Sequence, residues 1–424
     1  MLTSDLTAKY ISILEEELIP AMGCTEPIAL AYASALARKT LGCLPEQTRL
    51  SVSANIVKNV KSVIVPHTGS LRGIEAAAAA GIVAGDSERE LEVLSSVTEE
   101  QITQIRAYLD TADISVSTAD SGFIFDIQVS VTGGGHSAFV RIAGNHTNVI
   151  RIEKDGTPLL TRDYAEEGPA QHTDHSILNV ADIIDFADNV ALESVRPVLD
   201  RQIACNTAIA EEGLRGNWGA SIGKVLLAAY GETVHNRAKA WAAAGSDARM
   251  SGCELPVVIN SGSGNQGLTA SLPVIIYAEH LKASQEQLYR ALLVSNLITI
   301  HLKTGIGCLS AYCGATSAGC GAGAGITYLY GGKAWEISHT IVNAVAINSG
   351  MICDGAKPSC AAKIASAVEA GLLGMHMQQQ GTQFYGGDGI VVKGVENTIS
   401  NVGRLARVGM AETDKEIIQI MIGC

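Results

Sequence analysis

Phe123-Ile124-Phe125-Asp126-Ile127-Gln128-Val129-Ser130-Val131 carries an apolar side chain at every odd position. That period of two belongs to a half-buried β-strand. Gly133-Gly134-Gly135 follows and turns the chain into a second candidate strand at 137–142, and a third at 149–153 ends at the turn Lys154-Asp155-Gly156. Upstream, residues 5–19 and 26–39 space their apolar positions as helices do, while 48–65 is rich in Val, Ile and Ser and reads as strands. Residues 161–176 are polar and read as a linker. Beyond them Ala-rich helical patterns run to the C-terminus, broken by Gly-rich stretches near 213–219, 261–267, 304–325 and 386–389. The expected class is therefore α+β, with a mixed domain over 1–165 followed by a larger all-α domain over 166–424.

The bulk composition fits that division. Of 424 residues, 47% are apolar but only 4% are Phe, Trp or Tyr, and 44 are Gly. Small side chains in such numbers let helices approach closely. The net charge of −13 argues against nucleic acid or an anionic membrane surface as partner, since both call for basic patches. Residues 304–332 carry no charge and the mean hydropathy is +0.21, yet that stretch is built on Gly, Ala, Ser, Thr and Cys, which insert poorly into lipid. With no long apolar centre in residues 1–20, the expected location is the cytoplasm, where thiols stay reduced.

Ten cysteines in a reducing compartment call for a use other than disulfides. About half are expected to pack as small apolar groups. Five fall in or beside breaks of the helical half: Cys308, Cys313 and Cys320, then Cys353 and Cys360. The last two flank Asp354-Gly355-Ala356-Lys357-Pro358-Ser359, a loop able to turn two thiolates toward one point. Such convergence, with backbone N–H groups nearby, is what an iron–sulfur cluster needs. Five thiols exceed the four that a cuboidal cluster can use. Cys320, seven residues after Cys313, would share its face on one helix, and spacing alone does not choose among them.

Ala21-Met22-Gly23-Cys24-Thr25-Glu26-Pro27-Ile28-Ala29-Leu30 resembles the signature of the L-cysteine desulfidase family. Ser53-Ala54-Asn55-Ile56-Val57-Lys58-Asn59 and Gly144-Asn145-His146-Thr147-Asn148 are similar to two further segments of that family. The likeness runs from the first helix to the loop at Cys360, with little from 161–200 or the extreme C-terminus. The helical half also resembles the α region of iron–sulfur L-serine dehydratases, where a Cys in a Gly/Ala segment, a Cys-Asp pair and a further Cys hold a 4Fe–4S cluster. Carried over, those positions are Cys313, Cys353 and Cys360, with a shorter loop between the last two here. The resemblance makes Cys308, Cys320, Cys205, Cys253 and Cys43 non-ligands.

The resemblance implies β-elimination of hydrogen sulfide from L-cysteine, leaving pyruvate and ammonia, with an open cluster iron as Lewis acid. Pyridoxal phosphate is not needed, and Lys58, Lys224, Lys303 and Lys357 stand in no context that suggests a Schiff base. Cys24 is the candidate base: it precedes a helix start at Thr25-Glu26-Pro27, where the dipole and free N–H groups should depress a thiol pKa. The alternatives are a structural cap or a resting fourth ligand. Ser261-Gly262-Ser263-Gly264-Asn265-Gln266-Gly267 offers an anion nest for the substrate carboxylate. It also matches a dinucleotide fingerprint, but Pro273 should interrupt the helix that such a site needs, and no strand–helix series surrounds it.

Thr25, Glu26, Asn55, Lys58, His146, Thr147, Asn148, Ser261, Ser263 and Asn265 are the candidate substrate contacts. Asn59 belongs to the same polar group, whose members are equally ordinary as turn residues. His67 is a weaker candidate, and His172 with His175 reads as solvated linker. Cys424, on the Gly423 hinge, could fold back as a resting fourth ligand. The rival readings are an L-serine dehydratase with the same cluster, a zinc-binding or redox-sensing protein without catalysis, and a membrane permease. Gly/Ala-rich helices also often pack between subunits, so a homo-oligomer is compatible with the sequence.

Overall fold

The computed structural model describes residues 2–162, 173–307 and 310–422. The chain opens with α1 (Ser4–Glu17), capped by the Thr3 side chain, then β1 (Pro20–Met22) and α2 (Thr25–Leu41). Between these last two, Gly23 adopts φ +60, and a side chain there would collide with the Pro66 ring. Next come β2 (Gln47–Val52), α3 (Ala54–Val60), α4 (Ile74–Ala84) and α5 (Glu99–Thr111). The strands β3 (Asp113–Thr118), β4 (Asp126–Gly133), β5 (His136–Ala143), β6 (Val149–Lys154) and β7 (Thr157–Thr161) complete this part.

Six strands form one sheet in the order β3-β2-β4-β5-β6-β7, with β2 and β3 parallel and the other pairs antiparallel. The hairpin turns at Gly134 and Gly135, both at positive φ, as a two-residue turn between right-twisted strands demands. Ile127, Val129 and Val131 pair with Ile142, Val140 and Ala138, and all six are buried. α2 packs on β4 and β5 and presses closely against α4.

Two expectations need correction. The strand in 48–65 stops at Val52: Ser53 ends it, and Asn55, Ile56, Asn59 and Val60 bury one face of the short helix α3 instead. The strand expected from Phe123 begins only at Asp126, whose buried carboxylate is held by Arg141 of β5 at 2.8 Å.

The second part is helical: α6 (Val180–Asn189), α7 (Arg196–Arg215), α8 (Ile222–Tyr230) and α9 (Val234–Met250) precede a three-residue strand, β8 (Pro256–Val258). Then follow α10 (Gly264–His280), α11 (Gln285–Ile306), α12 (Gly314–Leu329), α13 (Ala334–Asn348) and α14 (Cys360–Gln379). The chain ends with α15 (Val395–Arg404), one π-turn at Leu405–Gly409, and α16 (Ala411–Ile422). The class is α+β, as the sequence implies. Pro273 does not interrupt α10 but lies inside it. The carbonyl that loses its N–H partner to Pro273 is that of Thr269, and the next one, of Ala270, takes a hydrogen bond from Ser295 Oγ of α11.

β1 pairs antiparallel with β8, joining residues 20–22 to 256–258. α12 and α14 cross backbone to backbone: a Cβ at Gly319 would lie 2.2 Å from the Ala367 carbonyl oxygen, and one at Gly371 2.2 Å from that of Gly319. Among the described residues, no helix is long and apolar enough to cross a membrane.

Candidate functional site

Three helix starts and one bridged segment bring the chemistry together. Cys24 is the N-cap of α2, Cys313 the N-cap of α12, and Cys360 the first residue of α14. Cys353 lies on the segment that Tyr312 meets in a bridge to Ile352, pinned by the Cys313 amide on the Met351 carbonyl and the Cys353 amide on the Ala311 carbonyl. All four cysteines line one cavity of about 410 Å³. Cys24 also packs with Val63, Met250, Ala356 and Cys360 in one apolar cluster.

Cys320 is absent from that lining. It sits two turns into α12, fully in the core, and burial pushes its thiol up to about 12. Cys43 is exposed, and Cys205 and Cys253 also lie away from the cavity. Cys308 and Cys424 fall outside the described residues.

Cys313 donates its S–H to the Cys353 sulfur. That bond, with the charges of Lys58 and Lys303, pulls Cys353 well below an ordinary thiol in spite of burial, while Cys313 is pushed up. Burial raises Cys360. The backbone amides of Ala315, Gly355 and Lys357 favour the anions of Cys313, Cys353 and Cys360 in turn. Three soft sulfurs, each with a backbone amide, beside Lys58, Lys303 and Lys363 suit an iron–sulfur cluster. Among the described residues, no three His, Cys, Asp or Glu close on a single metal ion. A cuboidal cluster sets its thiolates on separate irons and so spaces them more widely.

The expected depression of the Cys24 thiol is not found. Cys24 is buried and donates its S–H to Glu26 Oε2 at 3.1 Å, and burial together with that carboxylate raises the thiol well above its usual range. The helix start is present, but desolvation outweighs it. Thr25 lies behind the wall, its hydroxyl within 3.1 Å of both Glu26 Oε2 and the Gly262 carbonyl oxygen.

Glu26, Lys58, Asn59, His146, Thr147, Ser261, Ser263 and Asn265 line the cavity; Asn55 and Asn148 do not. Asn148 instead braces its own turn through the Ala143 carbonyl. Lys58 is wholly buried and paired with Asp414 of α16 at 2.5 Å. His146 rests edge-on against Phe125, its Nε2 has no partner, and burial lowers its pKa. Ser261 and Gly262 adopt left-handed φ of 49 and 76, which turns the chain from β8 into α10.

Glu17 and Arg249, which no local sequence signal marks, stand on the same wall with Gln266 of the 261–267 segment, and His175 lines the cavity instead of lying in a solvated linker. His172 lies outside the described residues. Glu17 carries a carboxyl raised from 4.5 to about 7 by burial and by Glu16, against the opposing Ser261 amide and Lys303. Between those two values the folded protein holds a proton that the unfolded chain gives up, so stability falls as pH rises through that window. Glu17→Gln should therefore match wild type in thermal unfolding at pH 5 and melt above it at pH 8. Equal melting at both pH values would show that Glu17 is not perturbed.

Residues 88–419 match the serine dehydratase alpha chain family. The chain is also 60% identical to a UPF0597 protein of Desulfitobacterium hafniense, over 97% of this chain and 96% of the relative. UPF0597 proteins of Lachnoclostridium phytofermentans and Finegoldia magna are 51% and 46% identical, covering 98% and 97% of this chain and 99% of each relative. The family match takes in α12, the Cys353 segment and α14, while the relatives extend the likeness across the Cys24 segment, and the chain belongs to the serine dehydratase alpha chain family.

Proposed function

We propose that the protein is an iron–sulfur β-elimination lyase that converts L-cysteine to pyruvate, ammonia and hydrogen sulfide. The observation that carries this reading is the meeting of Cys24 with Cys313, Cys353 and Cys360 around one cavity. In this reading those last three residues would hold a 4Fe–4S cluster, which would supply Lewis acidity to the leaving group. The chain's own groups manage the proton and hold the amino acid.

At rest Cys24 is a thiol, bonded to Glu26 Oε2. Its proton passes to that oxygen, and the thiolate so formed takes the α-proton of the substrate. Burial and the Glu26 charge hold Cys24 as a thiol at rest, and passing the proton to Glu26 removes that negative charge from beside the thiolate. The electron pair of the Cα–H bond becomes the Cα–Cβ double bond, and that of the C–S bond leaves with sulfur. The aminoacrylate then tautomerises and hydrolyses in water. His146, kept neutral by burial, offers Nε2 to the substrate ammonium. In the turn through Ser261, Gly262 and Ser263, the Gly262 amide and the Ser263 hydroxyl are left for the carboxylate, since the Ser261 amide serves Glu17 and the Ser263 amide bonds the Asn260 carbonyl.

A second reading, an L-serine dehydratase acting through the same residues, is favoured by the description of the matching family. Protein purified without oxygen should form pyruvate from L-cysteine in clear preference to L-serine. The reverse preference would move the chain to the dehydratase reading. No pyruvate from either, despite bound iron and sulfide, would sink both. Zinc in place of iron, with no acid-labile sulfide, would support the non-catalytic reading.

A further inference from the structure

Arg249, in the last turn of α9, is 2% exposed and lines the cavity. Its Nη1 donates to the neutral Asn265 Oδ1 at 3.2 Å, its Nε is buried without a partner, and among the described residues no carboxylate pairs with it. The guanidinium lies against the first residue of α10: a Cβ on Gly264 would stand 2.3 Å from Nε and 2.8 Å from Cζ. A helix N-terminus is the positive end of its dipole, so a cation laid on it is doubly disfavoured. A buried cation without a counter-charge is itself costly. The nearby Glu26 accepts from Cys24 and Thr25 through Oε2 and makes no ion pair with Arg249. The arrangement is balanced when an anion enters from outside.

We propose that Arg249 is the specificity-determining anchor for the α-carboxylate of the substrate, a deepening that rests on the amino-acid elimination read above. With Nη1 held by Asn265, the Nε–Nη2 edge remains as a planar fork of the kind that takes a carboxylate through two parallel hydrogen bonds. The bare Cα of Gly264 gives that fork its room. The ligand class is a free 2-amino acid, as opposed to its amide, its ester or a residue within a peptide.

The test separates binding from chemistry by using ligands that have no leaving group. Binding of L-alanine and L-alaninamide is measured by anaerobic calorimetry on cluster-loaded wild type, Arg249→Met and Arg249→Lys. Wild type should prefer the acid by about tenfold or more. Arg249→Met should weaken L-alanine by about 100-fold and leave the amide within about twofold, and Arg249→Lys should recover part of the loss. If Arg249→Met does not fold, Arg249→Lys carries the test, because a point charge without the fork should still narrow the acid–amide ratio. No acid preference in wild type, or an unchanged ratio in the variants, overturns the proposal. A collapsed ratio in a protein that makes no pyruvate upholds the anchor and removes the elimination reading. Pyruvate formation with an unchanged ratio does the opposite.

Discussion

Cys353→Ala, purified without oxygen, is expected to hold iron and acid-labile sulfide only at background level. Its pyruvate formation should fall by more than about 100-fold, beyond the cost of losing a residue that merely supports a metal ligand. Cys353 is the member of the trio with most reason to be a thiolate before any metal arrives: Cys313 donates to it, and Lys58 and Lys303 favour its charge. Its amide is tied to the Ala311 carbonyl, so the side chain is lost from a fixed position. Cys205→Ala is the matched control, a half-buried thiol away from the cavity, and should keep full iron. Wild-type iron and sulfide in Cys353→Ala would remove that residue from the ligand set.

The second large effect is expected far from any sulfur. Gly371→Ala places a methyl 2.2 Å from the Gly319 carbonyl oxygen, and both atoms belong to helix backbones that cannot step aside singly. Overpacking of this kind costs about 1–3 kcal/mol, occasionally more. It should also loosen the cluster. Cys313 and Cys360 stand six and seven residues before the crossing of Gly319 with Ala367, about 9 and 10.5 Å along their helices at 1.5 Å per residue. A wedge at the crossing therefore changes the separation of the two sulfurs. Denaturant midpoints of the metal-free protein and iron retention of the loaded protein should both drop, with exposed Ser366→Ala as the neutral comparison. If Gly371→Ala keeps its midpoint and its iron, the crossing does not set the site.

That crossing also marks what could be read from the chain alone. A composition of small residues announces close helix contact, and residues 304–325 announce where, but which glycine meets which carbonyl depends on two helices far apart in sequence. The hairpin at Gly134-Gly135 was legible because its period and its turn are local. Residues 53–60 misled because Val, Ile and Ser suit a strand, whereas Ser53 ends β2 and the next turn buries one face as α3. Cys24 was found by its place at a helix start, yet its acidity was misjudged, since desolvation and the approach of Glu26 are features of the folded state. Arg249 gave no local signal at all. An arginine in the last turn of a helix is ordinary, and its significance lies in having, among the described residues, no carboxylate paired with it.

The pairing of β1 with β8 sets an order of events during synthesis. Residues 20–22 find their partner strand at 256–258, and Cys24 follows directly on the first of these strands. Until more than half the chain has left the ribosome, the Cys24 wall has nothing to pair with, and such distant contacts form late because loop closure must precede them. The trio at Cys313, Cys353 and Cys360 emerges later still. On the proposed ligand set, metal delivery would fall at the end of translation, upon a nearly finished polypeptide, and a nascent chain stalled before residue 313 would offer iron none of the three thiols.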